Sequence, residues 1–176
     1  MNIYLIGYRC TGKSSIGRCL ARELNMTFVD ADRLLEQEAG MHISDYVSRY
    51  GWERFRDQEA DILRELSRRQ ELVVATGGGA VLREENVACM KATGTLVWLT
   101  AGPETVLARM NNDGNSLYQR PALSQDPLAE EVRSTLAQRT PLYKNACHIR
   151  AATDDATIEQ ICQTLLPKIR SRHARK

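Results

Sequence analysis

Residues 7–14 read Gly7-Tyr8-Arg9-Cys10-Thr11-Gly12-Lys13-Ser14, preceded by the apolar run Ile3-Tyr4-Leu5-Ile6. They fit the spacing GxxxxGK[ST], in which a strand ends, a glycine-rich loop curls and a helix begins. With glycine at about 7% of residues, a chance match in a chain of this size is on the order of one in a hundred, so a plain turn is the weaker reading. Such a loop points successive backbone N–H groups inward, and the helix behind it adds the positive end of its dipole, which together make a cradle for phosphates. Lys13 is placed to reach the β- and γ-phosphates of a nucleoside triphosphate and Ser14 to hold Mg²⁺ between them. Gly7, Cys10, Thr11, Gly12 and Ser15 complete the expected nucleotide site.

Outward from this loop, short apolar runs alternate with longer amphipathic stretches. Strands are expected at Ile3–Ile6, Thr27–Val29, Leu72–Ala75, Leu96–Leu99 and Cys147–Ile149, all too apolar for a half-exposed antiparallel sheet. Helical patterns run over 12–24, 32–39, 43–69 with a break near Gly51, 81–92, 103–111, 127–145 and 155–169. Alternation of this kind implies βαβ units. The expected fold is a three-layer α/β/α domain with a five-stranded parallel sheet, filling residues 1–166. The stretch without periodicity, Asn111–Asp126, reads as a mobile lid, and it contains Arg120.

Composition agrees with a globular domain of 176 residues, with 43% hydrophobic and 26% charged residues. The net charge of +2 averages two regions. Residues 167–176 hold five basic side chains and no acid and read as a frayed basic tail; the remaining 19 basic and 22 acidic residues leave a body at −3, unlike a nucleic-acid scaffold. Five cysteines without CxxC or Cys/His spacing fit a reducing cytoplasm. No apolar run approaches the roughly 20 residues of a membrane span, and no heptad asks for a partner, so a monomer is expected.

Other candidate residues sit where strands end, the edge at which open α/β sheets collect ligands. Phe28-Val29-Asp30-Ala31-Asp32 puts two carboxylates there, one suited to a magnesium-bound water and the other to an acceptor hydroxyl, although Asp32 also suits the cap of a helix starting near Arg33. Thr76-Gly77-Gly78-Gly79 bares backbone to a ligand or forms a flexible turn. Arg56 and Arg139 suit an anionic acceptor as an ensemble; either alone reads as solvated surface.

Taken together, GYRCTGKS, FVDAD, FRDQE, TGGGAV, QRPAL and RTPLY, in this order, resemble the shikimate kinases over essentially the whole chain. The resemblance implies transfer of the ATP γ-phosphate to the 3-hydroxyl of shikimate on the way to chorismate and aromatic amino acids. It implies that Lys13 and Ser14 bind phosphate and magnesium, that Asp30 lies near the metal and that Asp32 is the base. Arg56, Arg139 and Gly77–Gly79 would hold shikimate, and Arg120 would close over the phosphates. A kinase for gluconate or adenylylsulfate, or a nucleotide-binding protein without catalysis, are the alternatives.

The chain departs from the family pattern in places. Val47 stands where many relatives carry an aromatic residue beside the substrate ring, and the 111–126 segment is longer than in some members. Ala152-Thr153-Asp154-Asp155 lacks an arginine that some members place near adenine, which leaves Arg109 as the expected stacking partner. Cys10 within the loop is unusual, and beside Lys13 and a helix N-terminus it reads either as an oxidation-sensitive thiol or as an inert small residue.

Overall fold

A computed structural model describes residues 1–112 and 127–174. Its strands are β1 (Asn2–Ile6), β2 (Thr27–Asp30), β3 (Leu72–Ala75), β4 (Gly94–Thr100) and β5 (Ile149–Ala152). They form one parallel sheet in the order β2-β3-β1-β4-β5, so β1 lies at the centre. The helices are α1 (Lys13–Leu24), α2 (Ala31–Ala39), α3 (Ile43–Arg68), α4 (Glu84–Thr93), α5 (Pro103–Asn112), α6 (Leu128–Ala146) and α7 (Ile158–His173), with a single 3₁₀ turn at Ala80–Leu82. The break expected near Gly51 is a kink inside α3, where Gly51 takes φ 80° and ψ 166°.

Alternate residues of each strand feed opposite faces of the sheet. Ile3 and Leu5 of β1, Val73 of β3 and Val97 and Leu99 of β4 pack with Ile16 and Leu20 of α1 and with Ile161, Leu165 and Ile169 of α7. Tyr4 and Ile6, Val74, Leu96 and Trp98 face the other way, against Leu35 of α2, Leu63 and Leu66 of α3, Met90 of α4 and Tyr143 of α6. A third, smaller cluster joins Tyr8 to Val106 and Met110 of α5 and Val132 of α6.

Three expectations are corrected. The last strand begins at Ile149, not Cys147, because α6 runs to Ala146 and Cys147 is its C-terminal cap. Helix α2 starts at Ala31, so its cap is Asp30, whose carboxylate accepts from the Arg33 amide at 3.4 Å, and Asp32 falls in the first turn instead. The basic tail is not frayed from Pro167. α7 passes through that proline to His173, because Ile169 continues the apolar stripe and is fully buried against the sheet. The expected lid lies outside the described residues from 113 to 126, while Asn111 and Asn112 end α5.

Since Ile169 closes one face of the core, Ile169→Ala should lower unfolding free energy by about 2–5 kcal/mol. Urea denaturation checks this; an unchanged midpoint would mean that the C-terminal turns contribute no packing.

Candidate active site

The phosphate loop leaves the carboxyl end of β1 and enters α1 at Lys13, which leaves no acidic side chain in the first turn of that helix. Gly12 is its N-cap, in a left-handed conformation without a side-chain cap, so the helix end stays open to an anion. Within the loop Thr11 donates to the Tyr8 carbonyl at 2.8 Å, and Lys13 Nζ donates to the carbonyls of Gly7 at 2.9 Å and Tyr8 at 2.7 Å. The lysine thus lies folded along the inside of the loop. Ser14 Oγ donates to Asp30 Oδ2 at 2.6 Å, which brings the hydroxyl and one of the two expected carboxylates together at the mouth of the loop. Cys10 is half-buried at φ 60°, and its carbonyl accepts from Arg109 at 3.2 Å. Arg109 also donates to the hydroxyl and carbonyl of Thr153 and is thereby fixed beside the loop. Ser15 is exposed on α1.

Beside the loop opens a cavity lined by Asp32, Arg56, Gly77, Gly78, Gly79 and Arg139, the residues expected to bind the acceptor. Tyr8 and Arg9 of the loop line it as well, and Ile43, Trp52 and Phe55 make its apolar wall. Val47 instead is buried in the main core. Arg56 is held in place from several directions: its Nη1 donates to Glu59 Oε2 at 2.7 Å, and the guanidinium lies 5.3 Å from the Trp52 ring and 5.0 Å from the Phe55 ring. A methyl group on Gly79 would fall inside the Arg56 guanidinium, and one on Gly77 would meet the carboxylates of Glu59 and Asp32. Close approach thus acts at Gly77 and Gly79, whereas Gly78 has ordinary van der Waals room and contributes its carbonyl, which accepts from Arg139 Nη1 at 3.3 Å and from the Tyr143 hydroxyl. Burial pushes the Tyr143 phenol up to about 12, so it stays a donor.

Glu59, within FRDQE, carried no assigned role in the sequence, yet it lies beneath the pocket with only 3% of its surface exposed. Its spacing of three from Arg56 on one helix was the available signal. Burial raises its carboxyl pKa; the Arg56 charge opposes the shift and the Asp32 charge adds to it. Oε1 is buried without a hydrogen-bond partner among the described residues. Tyr8, Arg9, Trp52 and Tyr143 were also passed over, the first two because the loop spacing leaves those positions unspecified. Arg120 lies outside the described residues.

The Glu59 carboxyl keeps its proton to higher pH folded than unfolded, so its contribution to stability is fully present below the ordinary value of 4.5 and is lost as pH rises through the raised folded value. Wild type should therefore lose stability relative to Glu59→Gln as pH increases from about 4 toward neutrality. Denaturant midpoints of both proteins across that range are the measurement, and a difference independent of pH would contradict the burial argument.

Comparison with known proteins places this geometry. The family model described as shikimate kinase matches residues 9–170. A shikimate kinase of Symbiobacterium thermophilum is 40% identical over 176 residues, covering 99% of both chains. The solved structure of shikimate kinase from Acinetobacter baumannii in complex with shikimate has a TM-score of 0.90 at 34% identity, covering 97% of this chain and 93% of that one. A gluconokinase from Sinorhizobium meliloti shares the fold alone, with a TM-score of 0.58 at 15% identity. With the family match spanning nearly the whole domain, and a relative this similar from end to end, the chain belongs to the shikimate kinase family.

Proposed function

We propose that the protein transfers the γ-phosphate of ATP to the 3-hydroxyl of shikimate, giving shikimate 3-phosphate and ADP. One observation carries this reading: Asp32, Arg56, Arg139 and the triple glycine share a single cavity whose wall includes Tyr8 and Arg9 of the phosphate loop. An acceptor in that cavity lies next to the loop. The arginines offer a carboxylate two planar, multidentate donors, and Ile43, Trp52 and Phe55 offer a carbon ring an apolar wall.

Phosphoryl transfer asks a protein for position and charge rather than for covalent chemistry. Asp32 in this reading accepts the hydrogen of the attacking hydroxyl and orients it toward the loop. Lys13, released from the loop carbonyls, meets the β- and γ-phosphates, and the amides around Gly7, Cys10, Thr11 and Gly12 face the remaining oxygens. Arg109, steadied by Cys10 and Thr153, stacks on adenine. Arg120 would add charge over the phosphates, with Ser15 beside them.

The donors suit magnesium. Among the described residues there is no cluster of three or more His, Cys, Asp or Glu side chains, whereas Mg²⁺ is commonly held by one or two protein oxygens together with phosphate oxygens and water. Ser14 and Asp30 supply such a pair, and the bound ion would neutralise charge between the β- and γ-phosphates. We further propose a cytoplasmic monomer acting on small molecules, without nucleic acid; the free cysteines support the compartment, and no described helix is long and apolar enough to cross a membrane.

A coupled assay of ADP release with shikimate, gluconate and adenylylsulfate offered separately tests the reading. Turnover is expected with shikimate; turnover confined to either of the others would transfer the assignment, and none at all would favour a non-catalytic nucleotide binder. Asp32→Asn should lower kcat by about 10²–10⁴ while ATP affinity changes little. A near wild-type rate would remove Asp32 from the role of base.

A further inference from the structure

The two loop residues after Gly7 are engaged by α5, α6 and the acceptor cavity. Tyr8, 1% exposed, is inserted between α5 and α6, packed on Val106, Met110 and Val132. Arg9, 7% exposed, forms an ion pair through Nη2 with Oε1 of Glu131, which is 2% exposed in the first turn of α6. Arg9 Nε donates to the Tyr8 hydroxyl at 3.2 Å, so the two side chains form one unit. Glu131 is not among the residues that line the acceptor cavity, but Arg9 is.

The other end of α6 bears on that cavity directly. Arg139 and Tyr143 both donate to the Gly78 carbonyl, and Tyr143 stacks on Trp98 of β4 at 5.8 Å, which fastens the helix to the sheet. From Glu131 to Arg139 is about two helical turns, or about 12 Å of one helical rod, which continues through Pro141. One rod therefore grips the phosphate loop at one end and the acceptor wall at the other. A buried ion pair is a poor source of stability, since apolar replacements of similar volume are often neutral or better, but its geometry is directional and fixes register where grease would not.

We propose that Arg9 and Glu131 are a positioning pair that sets the phosphate loop at its working distance from the acceptor held by Arg139. The inference rests on the phosphotransfer reading above. A misplacement of about 1 Å between reacting groups can lower the rate a hundredfold. The pair's contribution is thus expected in turnover and not in folding.

The test compares wild type, Glu131→Gln, Arg9→Met, Glu131→Leu and the Arg9→Met/Glu131→Leu double variant, measuring kcat, KM for shikimate, KM for ATP and the melting temperature of each. The double variant should melt at or above the wild-type temperature yet lose at least tenfold in kcat. Glu131→Gln, whose side chain does not line the cavity, should lose kcat or shikimate KM severalfold while KM for ATP stays within about threefold. Single apolar variants, each breaking the buried pair from one side, should be the least stable of the set. The proposal is overturned if the double variant turns over like wild type, or if every loss tracks the folded fraction. Wild type inactive with shikimate would instead overturn the phosphotransfer reading, and the inference with it.

Discussion

A strand hydrogen-bonded along both edges and covered on both faces cannot slide without tearing the sheet, and β1 is held in this way between β3 and β4. Its start is tied further: the Asn2 side chain donates to the carbonyls of Leu66 and Arg69 and accepts from the Leu72 amide, joining the end of α3 to the start of β3. The phosphate loop springs from the other end of this fixed strand. Because β1 and β3 are parallel neighbours, their carboxyl ends lie side by side, about 4.8 Å apart. The triple glycine after β3 therefore arrives beside the loop through sheet register alone, and the proposed nucleotide and acceptor sites share a wall for the same reason.

That wall is thin by necessity. Arg56 crosses over Gly79 with no room for a side chain beneath it, and Glu59 lies against Gly77. The arginine is oriented before any ligand arrives, by one carboxylate and two aromatic rings. Donors aimed in advance need no reorganisation when charge moves, which is the main way a protein accelerates a reaction that asks for little covalent help.

Much of this was legible in the sequence, and the exceptions have physical causes. The buried strands β1, β3 and β4 read as plain apolar runs, though β4 begins at Gly94, two residues before its apolar run; β2 is a half-buried edge strand that the run Phe28-Val29 still marks. β5 is an edge strand of four residues alternating between half-buried and exposed, and its weak pattern let the reading slide back to Cys147. A proline and a run of basic residues masked the end of α7, where burial of Ile169 outweighed both. The sequence pointed to Asp32 as a cap for α2, and only the backbone shows that the helix starts at Ala31 with Asp30 as its cap. The residues proposed for the acceptor carry motifs that mark them, and the fold brings them to one cavity. Glu131 had no such mark: its partner Arg9 is 122 positions away, and only the folded chain brings them together.

The placement of charge completes the account. The weak net charge of +2 says little about a site for anions, since the cavity's cations are balanced locally. Arg56 leans on Glu59, Arg9 on Glu131, and Arg139 on the Gly78 carbonyl. An empty pocket built this way is not a bare positive hole that would hold any passing phosphate or carboxylate. An anion gains a place there by matching the directions in which those guanidiniums already point, while Asp32 repels a charge set on the wrong side. Selectivity for one small acceptor then follows from geometry fixed by the fold, and a protein whose body is mildly acidic can still bind two anions side by side.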